Sequence, residues 1–278
     1  MITFENIGEY GRLGNQLFQY AILKSVSLKT GYDIALNKNI TNRVWHNQKC
    51  LLNNFKIPSC NFSNNITYNN VYEETITRSY DEKIYNVSDN TNFFGFFQHP
   101  SYYNNIREEL INEFELNDNV MEKALDYLHK FNNTVVSLHV RRGDVSDGTN
   151  PIDTNWSNDF SEGSILNQYY INSLKLLPND STILLFTGGS RKNEINQDIE
   201  WCKNNFKDER IIFVDGFSDI ETFGIMKSCD INITSFASTY SWWASFLNKN
   251  NNVIAPMNFY PSSVINPLDV YPNNWNLI

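Results

Sequence analysis

Short apolar runs recur through the second half of the chain and alternate with segments of helical length. The runs read TVVSLHV, STILLF, RIIFV, DINIT and NNVIA. The segments between them are predicted to be helices over 165–177, 194–206, 219–227 and 240–248. Because strands that alternate with helices form parallel sheets with right-handed crossovers, this half predicts an α/β lobe with a parallel sheet and flanking helices.

The first half of the chain is less regular. It opens with a strand candidate, ITFENI, followed by the loop GEYGRLGN and the helix QLFQYAILKSVSLKTG, which Gly31 is placed to end. The apolar residues near helical spacing in this helix are Leu17, Tyr20, Ala21 and Leu28. Residues 32–92 are polar and weakly periodic, so they are predicted only as loops with short elements. FFGFFQHPSYY has strand character, and NNIREELINEFEL and NVMEKALDYLHKF are predicted helices.

The length of 278 residues allows one large α/β domain or two lobes. The change of pattern near Asn132 and Asn133 predicts an N-terminal lobe over 1–133 and a C-terminal lobe over 134–278. Because the sequence contains neither repeats nor a low-complexity linker, the lobes are predicted to pack closely around a cleft.

Composition narrows the function classes. The chain is 41% hydrophobic, 14% aromatic and 19% charged, which excludes a disordered or fibrous protein. A net charge of -9 argues against a general nucleic-acid binder, so an anion site must be a local basic pocket. The four cysteines lack metal-ligand spacing and are predicted to be free thiols. No targeting signal and no membrane-length apolar segment is evident, which predicts a cytoplasmic protein.

The stretch SLHVRRGDV places Arg141 and Arg142 together where an apolar run ends. Ligands of parallel sheets bind outside the carboxyl ends of the strands, and the planar guanidinium of arginine grips phosphate through two N–H groups at once. His139 and Asp144 flank the pair and could orient it or handle a proton. The alternative is a strand-end surface ion pair with Asp144.

A second group of candidates lies in CDINITSFASTYSWWASFLN, where a strand ends in a hydroxyl-rich loop that opens a helix. The hydroxyls belong to Ser235, Ser238, Thr239 and Ser241. Helix N-termini bind anions, so this loop and the arginines could surround a pyrophosphate. Alternatively, the hydroxyls only cap the helix, and Trp242 and Trp243 belong to the core. The glycines of YGRLGNQLFQYA do not form G-x-G-x-x-G, which argues against a Rossmann NAD site.

Together these stretches resemble the α-1,2-fucosyltransferases of glycosyltransferase family 11. The resemblance rests on GRLGNQLFQYA, FFGFFQHPSYY, HVRRGD and CDINIT…STYSWW, and it extends through IAPMNFY to the closing NNWNLI. It implies the GT-B fold, in which two Rossmann-like lobes face a central cleft. It also implies inverting transfer of L-fucose from GDP-β-L-fucose to O2 of galactose in an acceptor glycan, with the donor on the C-terminal lobe and the acceptor on the N-terminal lobe.

Carried over residue by residue, the resemblance puts Arg141 on the donor β-phosphate. Arg142 would organise the loop or help with the diphosphate, and His139 would help to hold the nucleotide. Ser238 and Thr239 match phosphate-contacting hydroxyls. The other residues expected around the donor are Gly14, Asn15, Glu221 and Ser241, with Asn15 approaching the transferred sugar.

Negative charge builds on the departing diphosphate in the transition state, so positioned cations lower the barrier. No D-x-D triplet is present to hold Mg²⁺, so we expect no cofactor and no metal, with Arg141 in the place of the cation. Asp144 is the candidate general base, although two neighbouring arginines could make it structural. Asp147 and Glu162 are the reserves for that role.

The sequence departs from the family pattern on the side that contacts the base and ribose. FTGG at 186–189 lacks the two carboxylates usual there, SFASTY departs from the usual sequence before SWW, and Thr222 stands where an aspartate is common. Two alternatives therefore stay open. The chain could use another nucleotide sugar on the same fold, or it could be a catalytically silent glycan-binding protein.

Overall fold

The computed structural model describes residues 1–45, 48–147, 155–188, 195–260 and 266–278. The chain divides into two compact units, Met1–Val120 with Leu268–Asn273, and Met121–Pro267 with Asn274–Ile278. The assignment of 1–133 to an acceptor and of 134–278 to a donor stays a prediction.

The first unit is built on a parallel sheet of five strands in the order β5-β2-β1-β7-β6. Its strands are β1 (Ile2–Thr3), β2 (Ile34–Asn37), β5 (Cys60–Ser63), β6 (Asn70–Glu73) and β7 (Thr91–Phe94). A short antiparallel hairpin pairs β3 (Val44–Trp45) with β4 (Gln48–Lys49). The helices are α1 (Leu13–Thr30) and α2 (Arg107–Glu113), and α3 (Asp118–Leu128) runs across the division between the units.

Helix α1 is buried on nearly all sides from Leu13 to Val26, so it packs inside the unit. Leu17, Tyr20 and Ala21 are fully buried, whereas Leu28 is 46% exposed and does not belong to the core. Gly31 ends the helix as predicted: it adopts a φ of 77°, and its N–H donates to the carbonyl of Ser27. Glycine enters this left-handed conformation without the steric cost that a side chain would bring.

The prediction of loops with short elements over 32–92 underestimated the strand content of this segment, which supplies β2, β5 and β6. Each of these strands has four residues. Strands β5 and β6 also lie at the two edges of the sheet, where all of their residues are partly or fully exposed. Short edge strands of this kind leave little hydrophobic alternation in a sequence.

The second unit contains a parallel sheet of six strands in the order β10-β9-β8-β11-β12-β13. The strands are β8 (Val135–Arg141), β9 (Thr182–Gly188), β10 (Ile211–Phe213), β11 (Ile231–Ile233), β12 (Val253–Ala255) and β13 (Asn276–Leu277). The helices are α4 (Ile165–Lys175), α5 (Ile195–Asn205), α6 (Asp219–Lys227) and α7 (Thr239–Phe246). The alternation of strands and helices predicted for this half is confirmed, and only the two-residue strand β13 was missed.

The predictions for the two tryptophans and for the four cysteines are confirmed. Trp242 and Trp243 are buried in the core, as the second interpretation of the SWW stretch had it. Cys50, Cys202 and Cys229 are also buried, and all four cysteines carry free thiols. Within the described ranges, no helix combines the length and the apolar character needed to cross a membrane.

Candidate active site

The two sequence stretches that predicted an anion site meet at the carboxyl edge of the second sheet. Strand β8 ends at Arg141, and the neighbouring strand β11 runs into the loop that contains Ser235. The backbone N–H of Arg141 donates to Ser235 Oγ across an N···O distance of 2.8 Å. The structure therefore brings together residues that are 94 positions apart in the sequence.

Ser235 is also part of a buried chain of hydroxyl groups. Its Oγ lies 2.9 Å from Tyr170 Oη, and Tyr170 Oη donates to the carbonyl of His139 across 3.1 Å. Because Tyr170 has one hydroxyl proton and uses it on His139, Ser235 is the donor to Tyr170. The backbone on both sides of Val140 is thereby tied to helix α4 and to the loop after β11.

The guanidinium of Arg141 is held from two sides. Nη1 donates to the carbonyl of Ala237, and Nη2 lies 3.4 and 3.2 Å from the two carboxylate oxygens of Asp144. The Asp144 side chain is only 2% exposed, whereas that of Arg141 is 17% exposed. Asp144 is thus buried against the cation, and the cation keeps a surface toward solvent.

The carbonyl that faces Arg141 comes from an unusual backbone conformation. Ala237 has a φ of 50°, in the left-handed region that residues with a Cβ seldom adopt. Its N–H donates to the carbonyl of Phe259 across 2.7 Å, which holds the residue in place. The loop before α7 therefore stores local strain of about 1–3 kcal/mol at the position that orients the Arg141 side chain.

The hydroxyls at the start of α7 are engaged in capping. Ser238 is the N-cap residue, and its Oγ accepts from the N–H of Ser241 across 3.2 Å. Ser241 Oγ accepts in turn from the N–H of Ser235. Thr239, the first helical residue, is half-buried. These contacts fit the capping interpretation, and they also fix the positive end of the α7 dipole beside Arg141.

Arg142 points into the protein and has a different environment from Arg141. Its Nε lies 3.3 Å from Asp198 Oδ1, Nη1 donates to the carbonyl of Ser157, and Nη2 donates to Asn158 Oδ1. The guanidinium carbon sits 3.9 Å from the ring centre of Trp201. These contacts correspond to the predicted alternative in which Arg142 organises the loop. A contact to a diphosphate would require this buried side chain to exchange its partners.

Asp198 is the buried counter-ion of Arg142. Burial raises the pKa of the Asp198 carboxyl, and the nearby Arg142 guanidinium counters part of that rise. Asp198 was not among the predicted residues because it lies 56 positions from Arg142, on helix α5. An acidic residue on a polar helix gives no sequence signal of such a distant partner.

His139 lies beside Tyr240, which contacts Thr222, the residue that replaces the usual aspartate of the family. Its ring is 5.8 Å from that of Tyr240 in a tilted arrangement. The Tyr240 hydroxyl is 2.7 Å from Thr222 Oγ1 and donates to the carbonyl of Asp219. Burial raises the pKa of Tyr240, so its hydroxyl stays protonated. Thr222 and Tyr240 therefore form a neutral pair at the place where a carboxylate was expected.

Glu221 was predicted to lie near the donor, and its carboxylate already has several partners. Oε2 accepts from the N–H and the hydroxyl of Ser218 in a capping box at the start of α6. Oε1 lies 2.5 Å from Lys123 Nζ. The hydrogen bond from Lys123, followed by those from Ser218, lowers the pKa of Glu221 to about 2. A donor contact through Glu221 stays a prediction, and it would compete with these bonds.

Gly14 and Asn15 lie in the first unit, in the first turn of α1. Asn15 Oδ1 accepts from Gln98 Nε2 across 2.9 Å, which joins the GRLGN and FFQHP stretches. Gly11 has a φ of 96°, and a Cβ at this position would lie 2.4 Å from Asn15 Nδ2. The loop before α1 therefore needs glycine where it passes the Asn15 side chain.

An aromatic cluster beside this loop was not singled out from the sequence. The ring of Tyr10 stacks on Phe96 at 4.7 Å and on Phe94 at 5.5 Å, and it meets Trp45 edge-on at 5.8 Å. All four side chains are half-buried. The alternating aromatics of FFGFF were a signal for part of this cluster, but nothing in the sequence indicated the contact with Trp45.

The two reserve candidates for a general base differ in their exposure to solvent. Asp147 is half-buried and Glu162 is exposed.

Of the FTGG stretch, the structure describes 186–188. Gly188 ends β9 with a φ of 131°, opposite Arg141 in the parallel register, and Gly189 lies outside the described residues.

Within the described part of the chain, no group of three or more His, Cys, Asp or Glu residues could hold a metal ion. The expectation of a reaction without metal stays a prediction.

Comparison with known proteins defines the class to which this fold and site belong. The sequence profile described as glycosyl transferase family 11 matches residues 3–278. The chain therefore belongs to glycosyl transferase family 11, as the sequence motifs had predicted.

Curated relatives are distant in sequence. The chain is similar to the O-antigen biosynthesis glycosyltransferase WbnK of Escherichia coli, with 26% identity over 182 residues that cover 60% of this chain and 54% of WbnK. It is also similar to galactoside alpha-(1,2)-fucosyltransferase 2 of Hylobates lar, with 22% identity over 89% of this chain and 70% of that protein. The match thus spans about half of the length of WbnK.

Solved structures support the fold. The chain resembles the α-1,6-fucosyltransferase NodZ soaked with GDP-fucose, with a TM-score of 0.54 and 11% identity over 88% of this chain and 91% of NodZ. It resembles POFUT1 in complex with GDP equally, with a TM-score of 0.54 and 10% identity over 90% of this chain and 95% of POFUT1. The fold is therefore of the GT-B type found in fucosyltransferases, as predicted.

Proposed function

We propose that this chain is an inverting fucosyltransferase that moves L-fucose from GDP-β-L-fucose to O2 of a galactose residue in an acceptor glycan. Membership of glycosyl transferase family 11 supports glycosyl transfer. The similarity to a galactoside alpha-(1,2)-fucosyltransferase supports fucose as the transferred sugar and the linkage, and the similarity in fold to NodZ soaked with GDP-fucose supports the donor. The geometry around Arg141 is the observation that carries the proposal, since it supplies a fixed cation for a departing diphosphate.

In the proposed mechanism, Arg141 binds the β-phosphate of the donor. Charge moves onto the diphosphate as the glycosidic bond breaks, and a cation that is already oriented stabilises that charge without reorganising. Ala237 and Asp144 hold the guanidinium in its orientation. The positive end of the α7 dipole, capped by Ser238, acts in the same direction. Arg141 would therefore serve where other transferases use a metal ion.

Asp144 is better suited to positioning Arg141 than to acting as the general base. A base must reach the acceptor hydroxyl and take its proton. The carboxylate of Asp144 is 2% exposed and faces the Arg141 guanidinium, so it would have to leave that partner first. We therefore assign Asp144 the role of a positioning residue and leave the base to another group near the acceptor.

One assay tests the proposal. The protein is incubated with GDP-fucose and lactose in the presence of EDTA, and the product is analysed by NMR. The proposal expects an α-linked fucose on O2 of galactose, with undiminished rate in EDTA. A β-linked product, another linkage position, or dependence on added Mg²⁺ would each remove the corresponding part of the proposal.

A second candidate, transfer from a different nucleotide sugar, is favoured by the Thr222 and Tyr240 pair. Their hydroxyls lie 2.7 Å apart, and the pair offers no carboxylate to a guanine base. Thermal shifts with GDP, UDP, CDP and dTDP separate the candidates, because stabilisation grows with the ratio of ligand concentration to Kd. The largest shift with GDP supports the first candidate, and the largest shift with another nucleotide supports the second.

A further inference from the structure

A polar groove of about 590 Å³ lies on the first unit. It is formed by the last turns of α1, the segment around Glu82–Asn86, and the segment from Ser101 to Glu109. Its volume falls within the range of about 300–1,000 Å³ that small-ligand sites occupy. The residues that decide its chemistry are Ser25, Lys29, Tyr80, Tyr85, Tyr102 and Asn105.

The groove is separate from the GRLGN loop, which the family resemblance places near the reaction. Asn15 lies in the first turn of α1, whereas Ser25 and Lys29 lie in its last turns. An α-helix rises about 1.5 Å per residue, so about 20 Å separates Asn15 from Lys29 along the helix axis. A ligand in the groove would therefore bind far from Asn15.

Aromatic side chains form the floor and one wall of the groove. Tyr102 is buried, and its ring centre lies 4.9 Å from that of Tyr80. Tyr80 itself is 41% exposed, so part of its ring is open to solvent. An exposed ring of this kind offers a surface against which the apolar C–H face of a sugar can pack.

Hydrogen bonds hold this floor in place. Tyr102 Oη accepts from the N–H of Asp81 across 2.7 Å. Ser25 Oγ donates to the carbonyl of Tyr102 and lies 3.0 Å from Tyr85 Oη. Ser25 is itself buried, which ties the floor to helix α1. The aromatic surface is therefore fixed before any ligand binds, and a preformed surface loses less entropy on binding.

The charges around the groove balance one another. Lys29 and Lys83 contribute two positive charges, and Glu82 and Glu109 contribute two negative charges. A site without net charge does not favour a phosphate or a nucleotide over a neutral ligand. Among the described residues, the side-chain amides of Asn86 and Asn105 form no hydrogen bond with the protein. They can therefore form hydrogen bonds with the hydroxyl groups of a sugar. Aromatic surface, amides and balanced charge together fit a neutral glycan.

We infer that this groove is a second glycan-binding site, which holds sugar residues of a long acceptor at a distance from its reacting end with one ring packed on Tyr80. The function of the site as an acceptor holder rests on the proposed fucosyl transfer. Glycan binding itself does not, so the two claims can fail separately. A minimal acceptor such as lactose would be too short to use the groove.

The test compares Tyr80→Ala with Phe62→Ala. The control Phe62 lies in the same unit on edge strand β5 and is 40% exposed, almost the same as Tyr80. Binding of lactose and of the galactose-terminated hexasaccharide lacto-N-neohexaose is measured by isothermal titration calorimetry, and kcat/KM is measured for both acceptors with GDP-fucose. We expect Tyr80→Ala to weaken hexasaccharide binding about tenfold, which corresponds to the loss of one buried aromatic contact. Lactose should be unaffected, and Phe62→Ala should behave as the parent protein.

The outcomes separate the two claims. Equal hexasaccharide affinity in Tyr80→Ala and the parent protein overturns the second site, and so does an equal loss in Phe62→Ala. If the parent protein transfers no fucose but binds the hexasaccharide in a Tyr80-dependent way, the second site stands and the proposed function fails. GDP binding is measured by the same calorimetry, and weaker GDP binding by Tyr80→Ala than by the parent protein would also overturn the inference, because it would mean that the groove takes the nucleotide.

Discussion

The backbone N–H of Arg141 donates to Ser235 Oγ across 2.8 Å, and this bond joins the two stretches that define the candidate site. Ser235 Oγ is also hydrogen-bonded to the hydroxyl of Tyr170, which donates to the carbonyl of His139. The strand end that carries Arg141 is thereby fixed on both sides. The orientation of the cation depends on this buried hydroxyl chain as well as on Asp144.

Removing the Ser235 hydroxyl should destabilise the protein. In Ser235→Ala the N–H of Arg141 loses its acceptor and Tyr170 loses a donor, and an unsatisfied buried group costs about 1–3 kcal/mol. Urea unfolding of the whole protein measures the change. Ser245→Ala is the matched control: Ser245 is also buried, and its hydroxyl has no hydrogen-bond partner in the described structure. Equal destabilisation by both substitutions would contradict the account.

Loss of the Arg141 guanidinium should strongly lower the rate of transfer. Arg141→Ala removes one preorganised cation, and deletion of one such donor lowers kcat about 10²–10³-fold. Initial rates with GDP-fucose measure the effect. Arg210→Ala is the control, since Arg210 is paired with Asp208 in the same unit and should keep nearly full activity. An Arg141→Ala variant with a rate within a few-fold of the parent would remove Arg141 from the mechanism.

Arg142 should matter for stability because it is buried against Asp198 and stacked on Trp201. Arg142→Met removes one partner of a buried ion pair, which costs about 3–5 kcal/mol by leaving the other charge uncompensated. The double variant with Asp198→Asn should recover part of this loss, since the two residues interact directly. Urea midpoints of the single and double variants give the result. Additive losses would mean that the two side chains are not coupled.

The Glu221 carboxyl should titrate well below its ordinary value. The hydrogen bond from Lys123 and the capping contacts with Ser218 lower the pKa from 4.5 to about 2. A lowered folded pKa contributes stability that is fully present above pH 4.5 and is lost as the pH falls toward 2. Carboxyl ¹³C NMR measures the titration directly. In Lys123→Met the pKa should move back toward 4.5, and an unchanged value would rule out Lys123 as the main cause.

The second half of the fold was predictable because its inner strands β8, β9, β11 and β12 are mostly buried, and its helices alternate with the strands. The position of Arg141 at a strand end followed from the same pattern. The sequence could not show which of the two adjacent arginines turns inward, because that depends on Asp198 and Trp201, more than 50 positions away. In the first sheet, the opening strand was predicted, but the strands within 32–92 were predicted only as short elements, because its edge strands have four residues and little hydrophobic alternation.

The departures at Thr222 and Tyr240 show the same limit. From the sequence, the loss of an expected aspartate raised doubt about guanine recognition. The structure shows that the Thr222 hydroxyl lies 2.7 Å from that of Tyr240. Thr222 and the SFASTY stretch, which contains Tyr240, both depart from the family pattern, and in the structure they are in contact. Neither position alone indicated that contact.

Competition between donors shows which sugar the protein transfers and whether Arg141 is needed for the transfer. The parent protein and Arg141→Ala are given an equimolar mixture of GDP-fucose, GDP-mannose, UDP-galactose and UDP-glucose with lactose, and products are separated by mass spectrometry. We expect the parent protein to add a deoxyhexose and almost nothing else, and Arg141→Ala to form very little product. Preferential addition of a hexose, or undiminished deoxyhexose transfer by Arg141→Ala, would contradict the proposal.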